Sequence, residues 1–256
     1  MLQAPSPTSA RKAGIRFDRG RHWRAKIGFV LLATEQTIQD DVMGLRPEGV
    51  GIHFARASIP DSITNETLAA QIDLLADAAA SLLPDGSLDV ICYACTSGSL
   101  VIGEERVHAE LAKGNPRARP TSLIAGVIKA LRKLKARSIA VATPYLDEIN
   151  AREAAYLERA GFQVVNIEGL NLERDSDMVR VDPNYVIEFA QSVDRANADA
   201  LFVSCGALRS LDIVDELERR VGKPVVVSNQ AMIWDTWRMA GLADRICGYG
   251  SLFRDH

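Results

Sequence analysis

The chain has 256 residues, of which 47% are hydrophobic and 25% charged, a balance that excludes a disordered, collagen-like or disulfide-built protein. Lys and Arg number 30 against 33 Asp and Glu, a formal net charge of −3, so the basic excess of a nucleic-acid binder is missing. No apolar run approaches the ~18–20 residues that span a bilayer, and the length suits one large or two medium α/β domains.

Residues 1–23 read as a basic, solvated arm containing Pro5, Pro7, Arg11, Lys12, Arg16, Arg19 and Arg21. It has no apolar core of the kind a signal peptide needs, so a cytoplasmic protein is expected. After the arm, strand-length apolar runs alternate with helical patterns. Strands are predicted at residues 26–32 and 51–57, then a helix at 65–83 with Leu68, Ile72, Leu75, Ala79 and Leu82 on one face. A turn at Pro84-Asp85-Gly86 leads to a strand at 88–93 and a helix at 97–111. The second stretch repeats the scheme: helix 121–134, strand 138–142, helix 148–160, strand 162–167, helix 183–196, strand 200–204, helix 210–221 ended by Gly222, strand 224–227 and helix 231–240. This alternation predicts βαβ units and parallel sheets covered on both faces. The tail beyond Val227 is too short to be a domain and is expected to return to the first half. One lobe would then comprise residues 24–119 plus 228–256, and the other residues 120–227.

Neither a G-x-G-x-x-G nor a P-loop pattern follows any strand, so no nucleotide site is indicated. Of the four cysteines, Cys92 and Cys95 share a C-x-x-C spacing. A zinc site would need a second close pair of Cys or His, which is missing. Cys92 lies within an apolar run and reads as a buried strand residue, and Cys247 reads as a small buried hydrophobe.

Cys95 and Cys205 occupy matching places: a buried strand runs into a cysteine, then small residues, then a helix. In parallel sheets ligands bind beyond the carboxyl ends of the strands. Free N–H groups at a helix start would lower a thiol pKa from about 8.5 and favour thiolate. They would also receive a carboxylate. Two such thiols facing each other across a cleft would suit proton removal and return on opposite faces of one carbon. The alternative is two small buried hydrophobes.

At these positions the chain resembles the aspartate/glutamate racemase superfamily. It is most similar to its maleate cis-trans isomerase and arylmalonate decarboxylase branch, ectoine-utilisation members included. The resemblance runs over about residues 24–250. It rests on Ala94-Cys95-Thr96-Ser97-Gly98, Ala142-Thr143-Pro144-Tyr145, Ser204-Cys205-Gly206-Ala207-Leu208-Arg209 and the run from Gly222 to Gln230 followed by Trp234. It implies two Rossmann-like lobes related by a pseudo-two-fold axis, with the active site between them. It also implies no cofactor and a small carboxylate substrate. A homo-oligomer is expected, with no metal and with neither a nucleic-acid nor a membrane partner. Racemases and maleate isomerases keep both cysteines, whereas the decarboxylase has glycine at the place of Cys95. That difference favours an isomerase or racemase over the alternatives, decarboxylation of a malonate-like acid and non-catalytic carboxylate binding. The resemblance gives Cys95 the role of nucleophile and Cys205 that of its acid/base partner. Thr96, Ser97, Tyr145 and the backbone at Gly206 and Ala207 would bind substrate.

The chain departs from the branch at Glu35, where the isomerases carry Asn. An acid there disfavours maleate and could pair with an amino or amide group; equally, Glu35 could serve as an acid at a helix start. The second isomerase Asn falls near Asp175-Ser176-Asp177 and is not matched. Arg209 reads either as a carboxylate partner or as a solvated residue. Asn229 reads as a helix cap, His53 as structural, and Trp234 and Trp237 as core or interface.

Overall fold

A computed structural model describes residues 15–256; residues 1–14 of the expected basic arm lie outside the described residues. The first half contains β1 (Ala25–Leu32), α1 (Ile38–Leu45), β2 (Val50–Ala57), α2 (Asn65–Ala69), α3 (Ile72–Ala80), β3 (Val90–Tyr93), α4 (Thr96–Ile102), α5 (Glu104–Gly114), β4 (Arg119–Ser122) and α6 (Leu123–Lys133). The second half contains β5 (Ser138–Thr143), α7 (Asp147–Arg159), β6 (Gln163–Gly169), α8 (Asp175–Met178), α9 (Pro183–Val193), β7 (Ala200–Val203), α10 (Val214–Val221), β8 (Val225–Val227), α11 (Ser228–Met239) and α12 (Gly250–Asp255).

Two parallel sheets result, ordered β2-β1-β3-β4 and β6-β5-β7-β8. Each order is the other shifted by four strands, so the halves share one topology. The inner strands β1, β3, β5 and β7 are almost wholly buried, as expected where helices cover both faces of a parallel sheet. Cys95 and Cys205 follow β3 and β7, the third strand of each order. Ligands gather at such strand ends because the crossover loops leave a crevice there.

The halves share their core. One apolar cluster joins Leu75 and Tyr93 to Ala142 and Val203. Another joins Phe29 and Ile124 to Phe202 and Trp237. Between the sheets, α6 and α11 run in close contact at Gly126, where a Cβ would come within 2.9 Å of the Ala231 carbonyl oxygen. Asp235 of α11 takes hydrogen bonds from Thr121 and Lys129, at 2.9 and 2.8 Å. Among the described residues no helix is long and apolar enough to cross a membrane.

The structure corrects several expected boundaries. The helix at 65–83 is two: it breaks at Gln71, whose buried amide donates to the Ser58 carbonyl at 2.8 Å. The helix at 97–111 breaks at Gly103, with φ +94°. The helix at 121–134 starts two residues late, because Arg119–Ser122 pairs with β3 as a sheet edge. Pro120 is tolerated at an edge, and Ser122 then caps α6 by accepting from Ala125 N at 3.2 Å. The first sheet therefore runs past residue 119. The helix at 210–221 opens with a 3-10 turn at Leu211–Ile213, and the short α8 and α12 had no legible periodicity.

Candidate active site

Cys95, Thr96, Ser97 and Glu35 from the first half and Tyr145, Asp175, Met178, Cys205, Gly206 and Ala207 from the second line one cavity. All eight predicted site residues are therefore brought together. The cavity holds about 20 Å³, room for about one water. Its cover is a clasp between the halves. Ile63 N donates to the Glu173 carbonyl at 2.9 Å and Asp175 N to the Asp61 carbonyl at 3.0 Å. The Asp61 carboxylate takes Ser176 N at 2.9 Å, Ser176 Oγ at 2.6 Å and Arg174 Nε at 2.9 Å. A molecule larger than a water fits only if the residues around the cavity move, and the clasp lies across the two halves at its edge.

Cys95 follows β3 in extended conformation and stands at the N-cap of α4, its Sγ accepting from Gly98 N at 3.2 Å. The Ser97 hydroxyl lies 3.7 Å from the sulfur. Tyr93 lies below: a Cβ on Gly98 would come within 2.3 Å of its hydroxyl, so only glycine fits there. Cys205 is built differently. It has φ +97°, a left-handed conformation that L-residues other than Asn and Asp seldom adopt. Its Sγ accepts from Ala207 N at 3.3 Å and lies 4.0 Å from Met178 Sδ.

The loop after Cys205 is held from three sides. Thr37 Oγ1 donates to the Ala207 carbonyl at 2.9 Å, and Asn229 Nδ2 to the Gly206 carbonyl at 2.9 Å and to Asp41 Oδ2 at 2.7 Å. A side chain at Gly206 would strike Ile38 at 2.7 Å. Ser228 Oγ joins the two cysteine loops: it accepts from Cys205 N at 3.0 Å and lies 3.2 Å from Thr96 Oγ1. Tyr145 is positioned by its turn, where its N–H donates to Thr143 Oγ1 at 3.1 Å and Thr143 donates to Asn150 at 2.5 Å.

The expected lowering of the thiol pKa values is overturned. Burial pushes Cys95 up to about 11, with the Gly98 N–H and the Ser97 hydroxyl pulling the other way. Burial raises Cys205 as well, the charge of Asp175 adds to the rise, and the Tyr145 hydroxyl opposes it. Desolvation disfavours the charged form more than a few N–H groups favour it. Both resting thiols are therefore protonated at neutral pH.

Glu35 is an acid at a helix start, one of the two roles the sequence left open, and it stands at the cavity. Its Oε1 accepts from Thr37 N and Ile38 N at 2.5 and 2.6 Å, as an acid at the start of α1, and its side chain also lines the cavity. Burial raises its carboxyl despite those N–H groups. Asn229 is no cap; it lies inside α11 and holds the Cys205 loop. Arg209 is not in the cavity, since its guanidinium donates to the Val181 carbonyl at 3.0 Å. Cys92 is buried in β3, whereas Cys247 is exposed and not the small buried hydrophobe expected, and His53 packs edge-on to His22 with ring centroids 5.5 Å apart.

Met178, Ser228 and Tyr93 were missed, and Asp175 was met only as the place where the second isomerase Asn is not matched. Asp175 and Met178 lie in a stretch without periodicity, whereas the strand-to-helix pattern at Val227-Ser228 matches those at both cysteines and could have flagged Ser228. Glu153 was missed too. It is fully buried on α7, accepts from Ser204 Oγ at 2.7 Å, and burial raises it to about 7. Among the described residues no group of three or more His, Cys, Asp or Glu is arranged to hold a metal ion.

Comparison with known proteins bears on this arrangement. Residues 44–253 match the family model of arylmalonate decarboxylase. Arylmalonate decarboxylase of Bordetella bronchiseptica is 36% identical over 136 residues, 52% of this chain and 57% of that one. Maleate isomerase of Nocardia farcinica is 28% identical over 240 residues, 90% of this chain and 95% of that one. A Cys-to-Ser variant of the Nocardia farcinica maleate cis-trans isomerase has been solved with a covalently bound succinylcysteine intermediate. It superposes with a TM-score of 0.84 at 25% identity, over 91% of this chain and 99% of that one. A Gly-to-Cys, Cys-to-Ser variant of arylmalonate decarboxylase in liganded form superposes with a TM-score of 0.81 at 28% identity, over 91% and 100%.

Proposed function

The chain belongs to the arylmalonate decarboxylase family, and from that premise we propose that it converts a small unsaturated carboxylate between cis and trans forms, using Cys95 and Cys205 without a cofactor. It is an enzyme on the isomerase side of the family, similar over nine-tenths of its length to maleate isomerases. The observation that carries the two-thiol reading is that Cys95 and Cys205, from equivalent strand ends of the two halves, line the same cavity. The covalent succinylcysteine in the Nocardia enzyme supports addition of a thiol to the double bond.

One thiol must first lose its proton to water, since burial holds both protonated at rest. The Cys95 thiolate then adds to one alkene carbon. The π pair moves to the neighbouring carbon, which takes the Cys205 proton. The carbon–carbon bond is now single and rotates. Cys205 thiolate removes a proton from that same carbon, the double bond re-forms, and the carbon–sulfur bond breaks to restore the Cys95 thiolate. The Thr96 and Ser97 hydroxyls are the donors for charge developing on the substrate carboxylate. Ser228 is a positioning residue that keeps the two cysteine loops in register.

Proton NMR in D₂O tests the reading, with maleate and related cis acids offered to the wild type, Cys95→Ala and Cys205→Ala. A trans product made by the wild type and by neither variant is expected. Carbon dioxide released from a malonate-like acid, surviving Cys95→Ala, would replace the reading with a decarboxylase.

A further inference from the structure

The cavity carries charge of one sign. Among the described residues that line it there is no Lys, Arg or His, and there are two acids, Glu35 and Asp175. Both are almost wholly buried, at 5% and 4% exposure. Glu35 spends Oε1 on the two N–H groups of α1, and its Oε2 is buried without a hydrogen-bond partner. Asp175 takes the Thr34 hydroxyl at 2.6 Å and faces the same space. The side chains suited to a carboxylate, Thr96 and Ser97, come instead from the Cys95 loop.

A dicarboxylate in this space would set its second carboxylate against Glu35 Oε2 with no cation in the cavity lining, Arg56 lying outside it and donating to the Glu35 backbone carbonyl at 2.7 Å, a repulsion strengthened by burial. An ammonium group has three donors and no acceptor, which is what an orphaned carboxylate oxygen beside a second acid requires.

We propose that the substrate carries one carboxylate and, at its other end, a primary ammonium held by Glu35 Oε2 and Asp175. The thiols would act on the carbons between. Burial raises both carboxyls, and a cation arriving between them favours their ionised forms. Glu35 and Asp175 are then the residues that turn the site from dicarboxylates to amino acids. This inference rests on the two-thiol reading only in placing the substrate in this cavity.

The test uses three cis four-carbon acids that differ at one end: (Z)-4-aminobut-2-enoate, maleate and maleamate. Calorimetric titration of the wild type should show the amino acid bound tighter than maleate by on the order of tenfold or more. Glu35→Gln and Asp175→Asn, each checked for folding by circular dichroism, should each narrow that preference and let maleate gain. Preference for maleate, preference for the neutral amide maleamate, binding of none of the three, or a preference unchanged in both folded variants overturns the proposal. Turnover followed by NMR separates it from the reading beneath. Ammonium preference without isomerisation of any ligand would leave this proposal standing and remove the two-thiol mechanism. Isomerisation of maleate alone, abolished in Cys95→Ala, would do the reverse.

Discussion

At Cys205 the backbone has φ +97°, so the residue carrying a reactive thiol sits where glycine would be at ease. An L-residue held there costs about 1–3 kcal/mol, against about 0.4–1 kcal/mol that an alanine recovers over glycine through its less flexible unfolded chain. Cys205→Gly and Cys205→Ala both remove the sulfur and its contacts with Ala207 N and Met178, so their difference isolates the Cβ. The glycine variant should be the more stable by about 1 kcal/mol, a rise of about 2–4 °C in Tm for a chain of this size. Cys92, inside β3, is the control: there glycine should be less stable than alanine by about 0.5–1 kcal/mol. Differential scanning calorimetry of the four variants reads both differences. An alanine at 205 as stable as the glycine would refute the idea that this loop stores strain at its thiol. Strain of this kind survives in native proteins because the surroundings over-determine it, and here Thr37, Asn229 and Ser228 grip the same loop.

Three further outcomes follow from the same structure. Glu153 is raised from 4.5 to about 7 by burial, so its contribution to stability is fully present below pH 4.5 and lost as pH rises through about 7. At about 1.4 kcal/mol per unit the loss is on the order of 3 kcal/mol, and urea melts of Glu153→Gln should be flatter over that window and more stable than wild type at pH 8. The rate should depend on a thiolate: with Cys95 at about 11, kcat/KM should climb with pH through neutrality and keep climbing at pH 9, and a plateau reached by pH 8 would contradict the burial of the resting thiol. Asp61→Ala removes three hydrogen bonds from the clasp, which should raise the rate of iodoacetamide labelling at Cys95 by roughly tenfold; an unchanged rate would show that substrate enters by another path.

Much of the architecture was legible because its signals are local. Buried parallel strands read as continuous apolar runs, as in residues 26–32, and helices as three-and-four spacing, so the α/β alternation and the two strand-end cysteines emerged from the chain alone. The edge strand Arg119–Ser122 did not, since an edge needs no apolar run, and its Pro120 reads as a breaker until β3 lies beside it. Chain pattern likewise placed Thr96, Ser97, Tyr145 and Gly206 next to strand ends, where a ligand would be met.

The sequence alone determined that two cysteines stand at equivalent strand-to-helix junctions, because repetition of a pattern is a property of the chain. Only the tertiary structure decided that they share one cavity, that Ser228 links their loops, and that Asp175 comes from a stretch without periodicity to face Glu35. It also reversed the expected thiol ionisation. A helix start is written in the sequence, but the desolvation that outweighs it depends on how many atoms from distant segments close around the sulfur.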